Sequence, residues 1–288
     1  MAGSAEVLTG ANAGHDVPHH DYHLLKPSPW PFVGSLSAGA MLLGAALWMH
    51  KGAVGPYLAV IGLLGVLFTM FGWWRDVLRE SAAGDHKPVV NRGLRLGMAL
   101  FITSEVLLFF AFFWAFFHSA LEPPTAATAA WPPAGVEPLS PWQIPLLNTL
   151  ILLLSGVTVT WAHHAVKEGH NRVAFKALLI TCVLGAIFTC FQLYEYSHAL
   201  HEGLTPQAGT FGSTFYIATG FHGFHVFVGT VFLLVCMFRA YALAFSPQKH
   251  VGFEAAAWYW HFVDVVWLFL FVCIYVWGGS VSWSVTGP

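Results

Sequence analysis

Charge is what this sequence has least of. Only 9% of its 288 residues are Asp, Glu, Lys or Arg, where a soluble domain carries about a quarter. No Lys/Arg cluster offsets the formal net charge of −2, which excludes a nucleic-acid partner. Cysteine is scarce too. Cys182, Cys190, Cys236 and Cys273 all lie in apolar runs, without CxxC or zinc spacing, and read as small buried hydrophobes rather than disulfides or ligands. The first 30 residues contain no apolar core of a cleavable signal, so entry into a membrane is expected through internal helices. No internal repeat is visible, which argues against an inverted-repeat transporter.

What is present in excess is apolar sequence, 57% of the chain. Seven apolar runs cover about 32–50, 57–75, 94–118, 142–162, 173–198, 212–240 and 254–278. Each is long enough to approach or cross a hydrocarbon core of about 30 Å at about 1.5 Å per helical residue. The expected class is an all-α membrane protein with seven transmembrane helices. Its organisation is a segment at 1–29, helices 1–2 over 30–75, a loop over 76–93, helices 3–7 over 94–278 and a tail at 279–288. Orientation follows from the cations. Of the twelve Lys and Arg, only Lys51 falls on the side opposite the others. The positive-inside rule therefore places the N-terminus and the 76–93 loop in the cytoplasm and the C-terminus on the outer, periplasmic face.

Polar residues inside the runs carry the functional question. The seventh, Glu254-Ala-Ala-Ala-Trp-Tyr-Trp-His-Phe-Val-Asp264, holds His261 and Asp264 three residues apart on one helix face. A charged group at mid-membrane costs about 2.5–3.5 kcal/mol on insertion scales, so this pair should face protein or water. It reads either as a satisfied contact that fixes packing or as a proton or ligand site. Glu105, central in the third run, reads as a carboxyl hydrogen-bonded to a neighbouring helix or as a participant in proton handling or lipid contact. His222 and His225 share a face of the sixth run; they could ligate a metal or haem, whereas the glycines beside them suggest close helix contact. Glu195 lies near the outer end of the fifth run and is expected to reach interfacial water. At the inner rim, Trp73-Trp-Arg-Asp-Val-Leu-Arg-Glu80 suits the headgroup layer, as plain anchor or as lipid site, with Arg239 and His250 expected at the same depth. His19, His20 and His23 lie in the N-terminal segment, where imidazoles exchange protons near neutral pH, as a proton antenna or merely as a tolerant tail.

Several motifs together resemble cytochrome c oxidase subunit III, in the bacterial aa3-type form of the haem–copper oxidase superfamily. They are Pro27-Ser-Pro-Trp-Pro31, Trp73-Trp-Arg-Asp76, Ser104-Glu-Val-Leu-Leu-Phe109, Thr160-Trp-Ala-His-His164, Ala218-Thr-Gly-Phe-His-Gly-Phe-His-Val226 and Trp258-Tyr-Trp-His-Phe-Val-Asp-Val-Val-Trp267. The resemblance implies a core subunit without a redox centre of its own, in the bacterial inner membrane. Haem a, haem a3 and copper would belong to partner subunits, with subunit I the main contact and subunit II a further one. A respiratory supercomplex with the cytochrome bc1 complex is a candidate larger assembly. The first two helices would diverge from the other five and leave a V-shaped, phospholipid-filled cleft. By motif, Trp74, Arg79, Glu80, His86, Arg239 and His250 would contact lipid headgroups, and Glu105 would be the family's buried, carbodiimide-reactive carboxyl. The implied role is to stabilise subunit I and support proton uptake for oxygen reduction and proton pumping. Two alternatives stand beside it: subunit III of a ubiquinol oxidase, whose relatives usually lack the first two helices, and an autonomous transporter built on the Glu105/His261/Asp264 seam.

Overall fold

A computed structural model describes residues 22–24, 27–122, 130–132, 137–280 and 283–284. Among them are seven helices long and apolar enough to cross a membrane: α1 Trp30–Met49, α2 Gly55–Ala83, α3 Pro88–Leu121, α4 Ile144–Lys167, α5 Asn171–His201, α6 Gly209–Tyr241 and α7 Val251–Trp277. All-α architecture follows from the bilayer itself, since a helix satisfies its backbone groups internally. Extended structure among the described residues is confined to short pairings. The main one joins β1 (Ala130–Trp131) antiparallel to β2 (Trp283–Ser284).

Most helices outrun the apolar stretches that announced them. Much of the 76–93 segment expected as a loop is helical: α2 continues to Ala83 and α3 begins at Pro88. Hydropathy reports where the hydrocarbon lies, not where a helix stops, and helical turns carrying Arg79, Glu80, Arg92 and Arg95 remain stable once they emerge into the headgroup layer. The stop between the two helices is chemical. Gly84 takes a left-handed φ of 92°, and Asp85 N–H donates to Glu80 O at 3.1 Å, closing a Schellman turn. Pro88 then opens α3, at a position where its missing N–H costs nothing.

The chain forms two compact units, residues 1–94 and 95–288. In the first, α1 and α2 are an antiparallel pair with glycine at the points of closest approach. A Cβ on Gly44 would fall on the Ala59 backbone, and one on Gly62 on the Met41 backbone, so small residues let the two backbones touch. Trp30 Nε1–H donates to Asp76 Oδ2 at 2.6 Å, tying the start of α1 to the end of α2.

In the second unit α7 is the axis. Trp260 and Trp267, both fully buried, donate their indole N–H groups to Ser155 Oγ and Thr149 Oγ1 of α4, each at 2.9 Å. Gly185 of α5 and Gly229 of α6 make room for the Trp260 ring. α3 approaches this core through aromatic side chains at helical spacing. Phe109 lies 6.0 Å from Phe262, Phe112 5.0 Å from Phe221, and Phe116 6.3 Å from Phe211. The last turns of α7, Phe271–Trp277, widen into a π-helix.

Candidate functional site

The intramembrane polar residues of the second unit sort into separate contacts rather than one seam. His225 and Glu105, on α6 and α3, meet with Nε2 and Oε2 2.9 Å apart. His225 Nδ1 lies 2.7 Å from the Phe221 carbonyl. A carbonyl only accepts, so Nδ1 carries a hydrogen. Nε2 then either accepts from a protonated Glu105 or, with the proton moved across, donates to its carboxylate; both forms leave the pair neutral. Rings of Phe109, Tyr259 and Phe262 surround this imidazole at 5.2, 6.1 and 6.0 Å.

His222, three residues earlier, turns to other neighbours. Its Nε2 sits 3.2 Å from Val263 O of α7, and its ring is wedged 5.0 Å from Trp267 and 5.8 Å from Phe188. The i,i+3 pair therefore does not converge on a common ligand. Each histidine has a ring nitrogen bonded to a neighbouring helix, and His225 has both engaged. Among the described residues, no group of three or more His, Cys, Asp or Glu side chains could hold a metal ion.

His261 and Asp264 lie against α4. His261 Nδ1 is 3.7 Å from Asp264 Oδ2, and Nε2 is 3.2 Å from Thr160 Oγ1. Thr160 donates its own hydrogen to Gly156 O at 2.9 Å, which leaves its oxygen to accept from His261. Gly156 lacks the Cβ that would strike the Asp264 carboxylate. Asp264 is 8% exposed, whereas the His261 side chain is 46% exposed.

Glu195 departs from expectation. It is 2% exposed, not at interfacial water, because α5 runs on to His201 and the π-helical end of α7 covers it. Tyr275 O–H donates to Glu195 Oε1 at 2.6 Å, and Gln192 Nε2 approaches the same oxygen at 3.3 Å. A tyrosine eight residues beyond the conspicuous Trp258–Trp267 stretch gave no sequence signal for this contact. The Arg95–Glu254 ion pair, 2.8 Å between Nε and Oε2, was also not apparent, since the two residues lie 159 positions apart.

The rim residues divide between the units. In the first, Arg79 lies 3.8 Å from Asp76, Glu80 lies 3.8 Å from His23, Trp74 is exposed, and the His86 carbonyl accepts from Asn91 Nδ2 at 3.2 Å. In the second, the Arg239 guanidinium stands 4.7 Å over the Phe245 ring, while His250 is buried with Nδ1 3.1 Å from Ser246 O. Of that second pair, Arg239 is the less buried. His19 and His20 lie outside the described residues.

Comparison with known proteins gives a uniform answer. The family described as "Cytochrome c oxidase subunit III" matches residues 20–279. "Cytochrome c oxidase subunit 3" of Arabidopsis thaliana is 57% identical over 261 residues, covering 90% of this chain and 97% of the relative. The protein of the same name from Chondrus crispus is 54% identical over 275 residues, covering 95% and 100%. That of Tragelaphus oryx is 54% identical over 260 residues, covering 90% and 98%.

Proposed function

Because this chain belongs to the cytochrome c oxidase subunit III family, we propose that it acts as a scaffold for the haem- and copper-bearing subunits rather than as a redox carrier. It is a multi-pass membrane subunit of the terminal oxidase. The observation that carries the scaffold reading is the fate of its intramembrane histidines and acids. Glu105 is joined to His225, His222 to the Val263 carbonyl, and His261 to Thr160 and Asp264. Groups that could have ligated a metal are instead engaged between α3, α4, α6 and α7, where each contact fixes the position of a helix.

In this reading subunit I is the main contact and subunit II a further one. They would carry haem a, haem a3 and copper, which supply electron transfer and oxygen reduction in the assembled enzyme. This chain contributes packing and two rims. Trp74, Arg79, Glu80 and His86 in the first unit, and Arg239 with the packed His250 in the second, suit phospholipid headgroups, with guanidinium to phosphate as the strongest such contact. The N-terminal histidines lie on the side of proton uptake under the positive-inside orientation and would exchange protons there. A bacterial inner membrane, N-terminus inward, is the proposed setting.

Absorption spectra of the chain purified alone and within its complex test the scaffold reading. Haem bands in the complex and none in the isolated chain are expected. Haem in the isolated chain, or a chain that never co-purifies with haem, overturns it.

A further inference from the structure

Three polar side chains at one end of the second unit are buried with hydrogen-bonding atoms to spare. Asn148 of α4 and Gln192 and Glu195 of α5 are 0%, 5% and 2% exposed. Glu195 commits one oxygen to its neighbours: Oε1 accepts from the Tyr275 hydroxyl at 2.6 Å and from Gln192 Nε2 at 3.3 Å. Its Oε2, Gln192 Oε1 and both side-chain atoms of Asn148, Oδ1 and Nδ2, are buried and meet no partner among the described residues.

Helix geometry brings these atoms to one place. Thr158 of α4 and Thr181 of α5 touch at 2.8 Å. Stepping away from the turn between the two helices by nearly the same number of residues puts Asn148 level with Gln192. Asn148 lies two turns before Ser155 on the same face, and Ser155 accepts from Trp260 of α7. Gln192 lies one turn beyond Phe188, whose ring stands 4.8 Å from Trp267 of α7. Both amides therefore look toward α7, and Tyr275 of α7 closes the third side.

Leaving such a set unpaired is costly in a low-dielectric interior. Three oxygens and one amide nitrogen await partners, so the missing group must both donate and accept. Water does both, and a buried water typically makes about three hydrogen bonds to groups of this kind. A hard cation fits less well. Three side-chain oxygens fall short of the about six to eight that Ca2+ takes, and a cation repels the amide hydrogens of Asn148.

We propose that Asn148, Gln192, Glu195 and Tyr275 enclose an internal water site between α4, α5 and the π-helical end of α7. One water donates to Gln192 Oε1 and Glu195 Oε2 and accepts from Asn148 Nδ2; Asn148 Oδ1 calls for a second. Should Oε2 carry a proton, it donates and the same water accepts. The site ties α4 into the Glu195–Tyr275 contact, which no direct bond from Asn148 does. It shares no residue with the contacts on which the scaffold reading rests, so either can fail without the other.

The experiment is cryo-electron microscopy of the intact oxidase in lipid nanodiscs, at a resolution that shows ordered water elsewhere in the same map. The expected result is a peak at about 2.6–3.2 Å from Glu195 Oε2 and Gln192 Oε1 and within the same reach of Asn148. Asn148→Leu fills the site with apolar volume and should abolish the peak. Glu195→Gln keeps the hydrogen-bonding shape and should retain it. Ordered water elsewhere and none here overturns the proposal, as does a peak with oxygens at about 2.3–2.6 Å on many sides, which marks a cation. A peak unchanged in Asn148→Leu overturns it as well, since α4 would then not belong to the site. If Asn148→Leu does not assemble, the wild-type map alone decides.

Discussion

Glu105 and His225, 120 positions apart, are joined across α3 and α6 by a single contact of 2.9 Å. α3 otherwise meets the bundle through aromatic rings, with the Arg95–Glu254 ion pair toward its N-terminal end. Aromatic contacts are forgiving about rotation and sliding; a short polar contact is not. The pair therefore sets the register of α3 against the core.

This gives the first prediction. His225 Nδ1–H is committed to Phe221 O, so Nε2 can accept. Glu105→Gln supplies an amide donor and should leave the complex close to wild type. Glu105→Ala strands the imidazole and should lower stability by about 1–3 kcal/mol, read as earlier thermal loss of this subunit from the purified oxidase. Equal loss in both variants would mean that the pair is held by ionic charge rather than by a neutral hydrogen bond.

A second prediction concerns the two indoles that bind α7 to α4. Trp260→Phe leaves Ser155 without its partner, and Trp267→Phe does the same to Thr149. Polar contacts within a membrane are worth about 0.6 kcal/mol on average, so each change should be small. A double-mutant cycle of Trp260→Phe with Ser155→Ala should recover a coupling of that order. Zero coupling would reduce the indole to a volume filler.

How much of this was legible beforehand follows from what each signal measures. The seven spans were, because long apolar runs report the bilayer directly. The pairing of Pro27–Pro31 with Trp73–Asp76 through the Trp30–Asp76 bond was not, although both motifs were noticed; spacing says nothing about which residues 46 apart will meet. His261 with Asp264 could be paired because both lie on one helix. His225 with Glu105 could not, since helix order around α7 is a tertiary property. Glu195 was misplaced for the same reason: depth along α5 was readable, but the cover supplied by Tyr275 was not.

The proposed lipid contacts yield a third prediction. Arg79 is exposed beside Asp76 and Arg239 stands over Phe245, and both retain donors for phosphate oxygens. Arg79→Ala combined with Arg239→Ala should lower the phospholipid phosphorus that co-purifies with the oxidase and shorten its working lifetime during turnover. Unchanged phosphorus content removes the arginines from lipid binding and leaves them as interfacial anchors.

The fourth prediction tests the N-terminal histidines. His23 Nε2 stands 3.8 Å from Glu80 Oε2, which places one member of the set beside a carboxylate. An antenna works by capturing protons when they are scarce, and its contribution should grow as the pH rises. Replacing His19, His20 and His23 together with Gln keeps hydrogen-bonding capacity and removes titration. Steady-state oxygen consumption should then fall on the alkaline side while remaining near wild type on the acid side, where bulk protons suffice. A rate lowered by the same factor at every pH would point to assembly or docking instead. An unchanged profile would leave the segment without a part in proton delivery.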